Sequence, residues 1–226
     1  MPESNSAPSQ ANLTIYDLDG VLIHGDTMAS LVTNRLKQKP LRLLAAIPLV
    51  FGTLLASSRG EAKPRFNRAL VSLALRGLDE AEYIDLARIT GLRLGLLPGI
   101  PNRDAILAAR TASGSGTVIV VTASEFHLAR AYLDTVGLHA IQLIASELAF
   151  DMKRGPHLAI HNVGPTKLAR LIVEHYDPSQ AVLYTDSSSD LPLATVAKHT
   201  VLVNPDRRSR RTVLSRVADV SLVYWS

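Results

Sequence analysis

Asp17 and Asp19 stand two residues apart at the end of a short apolar run, and Gly20 follows at once. In a strand, side chains two apart share a face, so both carboxylates can point at one ligand. Two neighbouring anions need a cation. A hard ion such as Mg²⁺ takes oxygen donors and still leaves positions for water and a substrate oxygen. Asp and Gly also form ordinary turns, so the three residues can be read as an Asx turn after a strand.

A second acidic pair lies far along the chain, where Asp186 follows the apolar run Val182–Tyr184 and Asp190 comes four residues later near a helix start. Taken alone, Asp190 can be read as a helix N-cap. Thr122 ends another apolar run, and Thr122-Ala123-Ser124 offers a hydroxyl and backbone N–H groups at a helix entry, a cradle for phosphate oxygens. Lys167 falls in the first turn of a helical pattern, where a cation opposes the macrodipole. Its ammonium could neutralise a phosphoryl group and offset the carboxylates. The plainer readings are a cap for Thr122 and a solvated surface side chain for Lys167.

The elements that must position these groups can be read from periodicity. Four β-branched-rich apolar runs, 13–16, 118–121, 182–184 and 201–203, each end in a polar residue and read as buried parallel strands, with 141–145 as a further candidate. Helical patterns lie between them: 126–136, closed by Gly137, and 165–176, opened by Gly164-Pro165. Alternating strands and helices imply an α/β fold with a doubly wound parallel sheet, whose ligands bind beyond the carboxyl ends of the strands. Asp17, Thr122 and Asp186 all sit there. Residues 28–100 break the rhythm with a mostly helical pattern, and read as an α-helical cap inserted into a core of 12–27 and 101–226. Residues 1–11 read as a disordered tail.

In these motifs and their order the chain resembles the haloacid dehalogenase superfamily of phosphatases: Asp17-Leu-Asp19-Gly-Val, Thr122, Lys167, and Asp186-Ser-Ser-Ser-Asp190. The position of the cap, and Val203-Asn-Pro-Asp206, resemble the phosphoserine-phosphatase-like subclass. The resemblance implies that Asp17 attacks phosphorus to give an aspartyl-phosphate, and that Asp19 protonates the leaving oxygen and then deprotonates the water. It implies Mg²⁺ held by Asp17, the Asp19 backbone carbonyl and Asp186, with Asp190 as an added acid. Thr122 and Lys167, with Ala123, Ser124 and Gly20, would bind the transferring phosphoryl group. Val21 and Ser189 depart from the commoner threonine and asparagine, without removing a charge. The intact Asp19 disfavours dehalogenation.

The cap carries its own signal. Residues 41–55 are apolar on nearly every side, with Arg35, Lys37 and Lys39 before them and Arg59, Lys63 and Arg65 after. A transmembrane helix needs about 20 apolar residues, and Pro48 and Gly52 weaken a continuous helix. The segment is either the core of the cap or a stretch lying in a membrane interface with its basic flanks on anionic headgroups. This run, with Leu143-Ile-Ala-Ser-Glu, Gly164-Pro-Thr-Lys167 and the last acidic motif, resembles the bacterial phosphatidylglycerophosphatase C family, which implies a lipid phosphate such as phosphatidylglycerophosphate as substrate. Two other readings stay open: a phosphatase for phosphoserine or another small metabolite, and a non-catalytic phosphate-binding or membrane-recruitment module. Arg65, Arg68 and Arg76 are candidates for leaving-group contacts, or ordinary surface charge.

Composition narrows the classes. With no cysteine there is no disulfide, thiolate metal site or cysteine nucleophile, and a reducing compartment is expected. The N-terminus lacks the basic start and apolar core of a signal peptide, so a cytoplasmic protein is expected, peripheral at the inner membrane face if the cap meets lipid. Net charge is +4, and the excess of basic residues sits in residues 28–100, which hold eleven Lys/Arg against five Asp/Glu. Arg207, Arg208, Arg210 and Arg211 form a basic cluster without a nucleic-acid recognition motif, so no nucleic-acid partner is expected.

Overall fold

The computed structural model describes residues 12–55, 62–151 and 155–226. The expected tail of residues 1–11 lies outside them, as do Arg59 and the side chain of Lys63. The chain runs β1 (Leu13–Tyr16), α1 (Thr27–Lys37), α2 (Pro40–Leu55), α3 (Ala62–Leu75), α4 (Glu80–Leu96), α5 (Arg103–Ser113), β2 (Thr117–Glu125) and α6 (Phe126–Thr135). It continues through β3 (Gln142–Asp151), β4 (Gly155–Ile160), α7 (Pro165–Val173), β5 (Val182–Thr185), α8 (Leu191–Ala194), β6 (His199–Val203), α9 (Arg207–Leu214) and β7 (Val220–Val223).

One seven-stranded sheet, ordered β4-β3-β2-β1-β5-β6-β7, carries the core. Every pairing is parallel except β3 with β4, which is antiparallel. The alternation along β1 explains why both faces are covered. Leu13 and Ile15 pack on one face with Ile119, Val121, Leu183 and Leu171 of α7, while Tyr16 packs on the other with Val118, Val120, Val203 and Ala105 of α5. Each fully buried aliphatic or aromatic side chain contributes about 1.5–3 kcal/mol by leaving water, which fixes the strand register.

The five expected strands are present, but β3 continues past Ala145, and β4 and β7 were not anticipated. The β3–β4 hairpin leans on the helical insertion, where the Phe150 and Tyr83 rings lie 5.6 Å apart. Half-exposed strands with mixed patterning give a weaker signal than the buried parallel ones.

Among the described residues five helices lie between β1 and β2, and α1–α4 make up the helical insertion. α4 starts with a full capping box, the Asp79 carboxylate accepting from Glu82 N while the Glu82 carboxylate accepts from Asp79 N. It packs directly on α6 because Gly91 and Gly95 have no side chains: a Cβ on Gly91 would lie 2.7 Å from Ala131 Cβ and from Tyr132 N. Tyr83 of α4 also donates a 2.7 Å hydrogen bond to the buried Glu125 at the end of β2. This helix is fastened to the core.

α2 is different on two counts. It runs unbroken through Pro48, against the expected interruption. It is also no buried core: of the residues from Leu41 to Phe51, only Ala46 is buried. α3 approaches it where Gly52 leaves room for the Phe66 ring, which a Cβ would meet at 2.6 Å.

Candidate active site

The carboxyl ends of β1, β2 and β5 converge on one rim. Asp17 N donates to Tyr184 O at 2.9 Å, extending the β1–β5 pairing by one residue and placing the Asp17 carboxylate just past the sheet. Only 8% of Asp17 is exposed. Lys167, on the first turn of α7 and itself buried, reaches it: Nζ lies 3.0 Å from Asp17 Oδ2 and 2.9 Å from Asp190 Oδ1. The reading of Lys167 as a solvated surface lysine therefore fails. Burial alone would pull its pKa down, but the Asp17 and Asp190 carboxylates outweigh burial and raise it, so it is a permanent cation.

Asp190 stands at the N-cap position of α8, but its carboxylate is used elsewhere. It precedes α8 without capping it through its side chain, and its Oδ2 accepts from Thr185 Oγ1 at 2.9 Å. Asp186 lies against Gly20. A Cβ at Gly20 would fall 2.2 Å from Asp186 Oδ2, and Gly20 holds a φ of +79°, which disfavours any L side chain.

Asp19 points elsewhere. Its Oδ2 accepts from Ser124 Oγ at 2.6 Å and its Oδ1 from Thr27 N at 2.7 Å, so it bridges the end of β2 to the start of α1. Burial, together with the charge of Asp26, pushes its pKa up to about 6.

The expected cradle at Thr122, Ala123 and Ser124 is built differently from the reading of a helix entry. Thr122 is fully buried and its Oγ1 accepts from Ser124 N at 3.0 Å. The N-terminus of α6 is already occupied, since the Glu125 carboxylate accepts from Leu128 N. A carboxylate on that dipole end leaves no helix-terminal anion site there.

Two side chains that hold this turn were missed. Asn162, fully buried before α7, donates from Nδ2 to Thr122 O and to Ile144 O, both at 3.0 Å, and from its backbone N to Ser146 Oγ at 2.9 Å. Ser146 in turn donates to Ala123 O at 2.6 Å. They tie the Thr122 turn to the segment that leads into Lys167. The partners come from strands far apart in sequence, so spacing alone could not have revealed them.

The donor set suits a hard divalent cation. Among the described residues four carboxylates share this rim with one cation, Lys167, and the imbalance shows in the acidity of Asp186 and Asp17. Burial and then the neighbouring Asp190 push Asp186 up to about 6. Asp17 is raised by burial against the pull of Lys167, with Asp190, Asp19 and Asp186 adding to the rise. The notch at Gly20 brings one carboxylate close to the backbone of the first motif. Among the described residues no three His, Cys, Asp or Glu side chains stand converged as a metal cage. Asp17 and Asp190 are turned to Lys167, and Asp19 to Ser124.

Beside Asp19 and Ser124 opens a cavity of about 370 Å³ between the rim and the helical insertion. Val32, Leu36, Val50 and Val71 give it an apolar side, and Asp26, Asn67, Arg68 of α3, Glu125 and His161 at the end of β4 are among its polar points. Of the three candidate arginines, Arg68 lines it and Arg65 and Arg76 do not.

A family model for haloacid dehalogenase-like hydrolases matches residues 14–195. The chain belongs to that family. No curated protein matches the sequence significantly. Among solved structures, a protein of unknown function from Bordetella pertussis Tohama I is similar over 94% of this chain and 98% of its own, at 17% identity and a TM-score of 0.73. A phosphoserine phosphohydrolase-like protein from Francisella tularensis is similar over 93% of this chain and 94% of its own, at 11% identity and TM-score 0.60. A phosphoserine phosphatase carrying a phospho-aspartyl intermediate analogue is similar over 94% and 93%, at 15% identity and TM-score 0.58. At these identities the likeness is one of fold.

Proposed function

We propose that this chain is a Mg²⁺-dependent phosphomonoester hydrolase that works through an aspartyl-phosphate on Asp17. The observation that carries the reading is the buried Lys167 ammonium, 3.0 Å from Asp17 Oδ2 and 2.9 Å from Asp190 Oδ1 at the carboxyl ends of the strands. A phosphoryl group brought to Asp17 meets that cation, and Asp17 attacks in line as the ester oxygen leaves. Asp19, with a pKa near about 6, holds a proton for an appreciable fraction of the time near neutrality. It donates that proton to the leaving oxygen and then takes one from the water that cleaves the intermediate. The Thr122 hydroxyl, beside Ala123, receives a remaining phosphoryl oxygen, whereas Ser124 N is already given to Thr122 Oγ1 and Gly20 N to Ile23 O, so the expected backbone contacts of Ser124 and Gly20 would require those bonds to open. Mg²⁺ would be held by the Asp17 carboxylate, the Asp19 backbone carbonyl and Asp186, with Asp190 behind them, and would neutralise charge on the phosphoryl group.

The apolar side of the cavity beside Asp19 supports a leaving group with an apolar portion, as in a lipid phosphate such as phosphatidylglycerophosphate, met by a cytoplasmic protein at the membrane face. A small metabolite is the second reading, favoured by the fold likeness to a phosphoserine phosphohydrolase-like protein and a phosphoserine phosphatase. Incubating the protein with Mg²⁺ and a panel of phosphorylated lipids and metabolites separates them. Phosphate release from lipid esters above the metabolites supports the first, the reverse order supports the second, and release from none while the protein is folded removes the phosphatase reading.

A further inference from the structure

We propose that the exposed face of α2 is a docking surface for an anionic lipid bilayer. Leu41, Leu44, Ile47, Phe51 and Leu55 recur at spacings of three or four and so share one side of the helix. They are 82%, 64%, 46%, 60% and 85% exposed. Leu43 and Val50 widen the stripe and are also exposed. A contiguous apolar face of this kind, on a helix whose own contacts are confined to its other side, marks an interaction surface rather than scattered surface leucines.

Charge selects the partner. Residues 27–55 contain Arg35, Lys37, Lys39 and Arg42 and no aspartate or glutamate. Lys37 and Lys39 are exposed where α1 gives way to α2, immediately before Leu41. An apolar stripe with basic residues at its edge is the pattern of a helix that lies in a headgroup region, apolar side down, with its cations on anionic lipids. Spanning is excluded for this helix. Its 16 residues cover about 24 Å at 1.5 Å per residue, short of a hydrocarbon core of about 30 Å. Among the described residues no helix is long and apolar enough to cross a membrane.

The surface is continuous with the cavity. Val50 is exposed on α2 and also lines the cavity whose floor holds Asp19 and Ser124. A molecule anchored in a bilayer under α2 would enter the cavity past Val50. The docking does not depend on the reaction; only this delivery of substrate rests on the phosphatase reading.

The test is co-sedimentation of the full chain with vesicles of pure phosphatidylcholine and of phosphatidylcholine containing about a third phosphatidylglycerol. The expected result is binding to the anionic vesicles well above the neutral ones. Leu41→Glu with Phe51→Glu, at exposed positions, should lower the partition coefficient at least about tenfold while circular dichroism and turnover of a water-soluble phosphomonoester stay unchanged. Lys37→Glu with Lys39→Glu should cut binding to anionic vesicles at least about 30-fold and leave neutral vesicles nearly unaffected. Absence of wild-type binding to anionic vesicles overturns the proposal, as does binding that neither pair of substitutions weakens. Sedimentation velocity supplies the remaining arm: a dimer that Leu41→Glu with Phe51→Glu turns into a monomer, without vesicle binding, assigns the face to a second copy. Vesicle binding with no turnover of any monoester would instead leave the surface standing and remove the phosphatase reading.

Discussion

The carboxylate of Asp186 occupies the space that a side chain at Gly20 would need, a Cβ there falling 2.2 Å from Asp186 Oδ2. The first and last acidic motifs thus close on each other through a missing side chain. Gly20→Ala should cost about 1–2 kcal/mol for its left-handed backbone. By pushing Asp186 off the rim it should also lower kcat/KM at least about 100-fold. Steady-state kinetics and a denaturant titration measure both, and an alanine variant with near-normal turnover would show that Asp186 need not lie there.

Lys167 pairs with two buried carboxylates at once. Lys167→Met leaves Asp17 and Asp190 facing each other without their cation, so near neutral pH it should lose about 3–5 kcal/mol of stability along with activity. The stability loss should shrink in acid, where the carboxylates are protonated. Thermal melts of both proteins across pH check this; a loss that does not change with pH would mean that packing, rather than charge, is what Lys167 supplies.

Burial pushes the carboxyls of Asp19 and Asp186 up to about 6, with Asp26 and Asp190, respectively, the next cause. A carboxyl with a raised folded pKa holds its proton more tightly folded than unfolded. Its contribution to stability is therefore complete below about pH 4 and is lost as pH rises through about 6. Asp17 is shifted in the same direction. The cation-free protein should lose stability across that window, and Mg²⁺, which favours the ionised forms, should raise the Tm more at about pH 8 than at about pH 5. Equal shifts at the two pH values would contradict this arrangement of acids.

Asn162 should matter beyond its share of stability. Losing two buried donors in Asn162→Ala should cost about 1–3 kcal/mol. Releasing the Thr122 carbonyl should also weaken inhibition by inorganic phosphate and lower kcat/KM by about 10- to 100-fold. A purely structural role would lower the Tm and leave the phosphate inhibition constant where it was.

The sequence was most legible where burial is complete. The parallel strands leading to Asp17, Thr122 and Asp186 announced themselves as apolar runs, because both their faces are covered. β4 and β7 pass through half-exposed surroundings and left no such trace. The acidic motifs were readable from their order along the chain at successive strand ends, since each carboxylate alone is also an ordinary turn or cap residue. Asn162, Ser146 and the Tyr83–Glu125 contact were not, since each is an ordinary polar residue until the fold supplies its partner. α2 shows the other limit: periodicity reveals that a helix is apolar, and only the packing of its neighbours shows which side they leave uncovered.

The central claim is that Asp17 carries the phosphoryl group. Acid quenching during turnover of a phosphomonoester with Mg²⁺, followed by peptide mass spectrometry, tests it directly. The expected result is a phosphoryl adduct on Asp17 that disappears, together with turnover, in a folded Asp17→Asn variant. An adduct on another residue, or substantial turnover by Asp17→Asn, would contradict it.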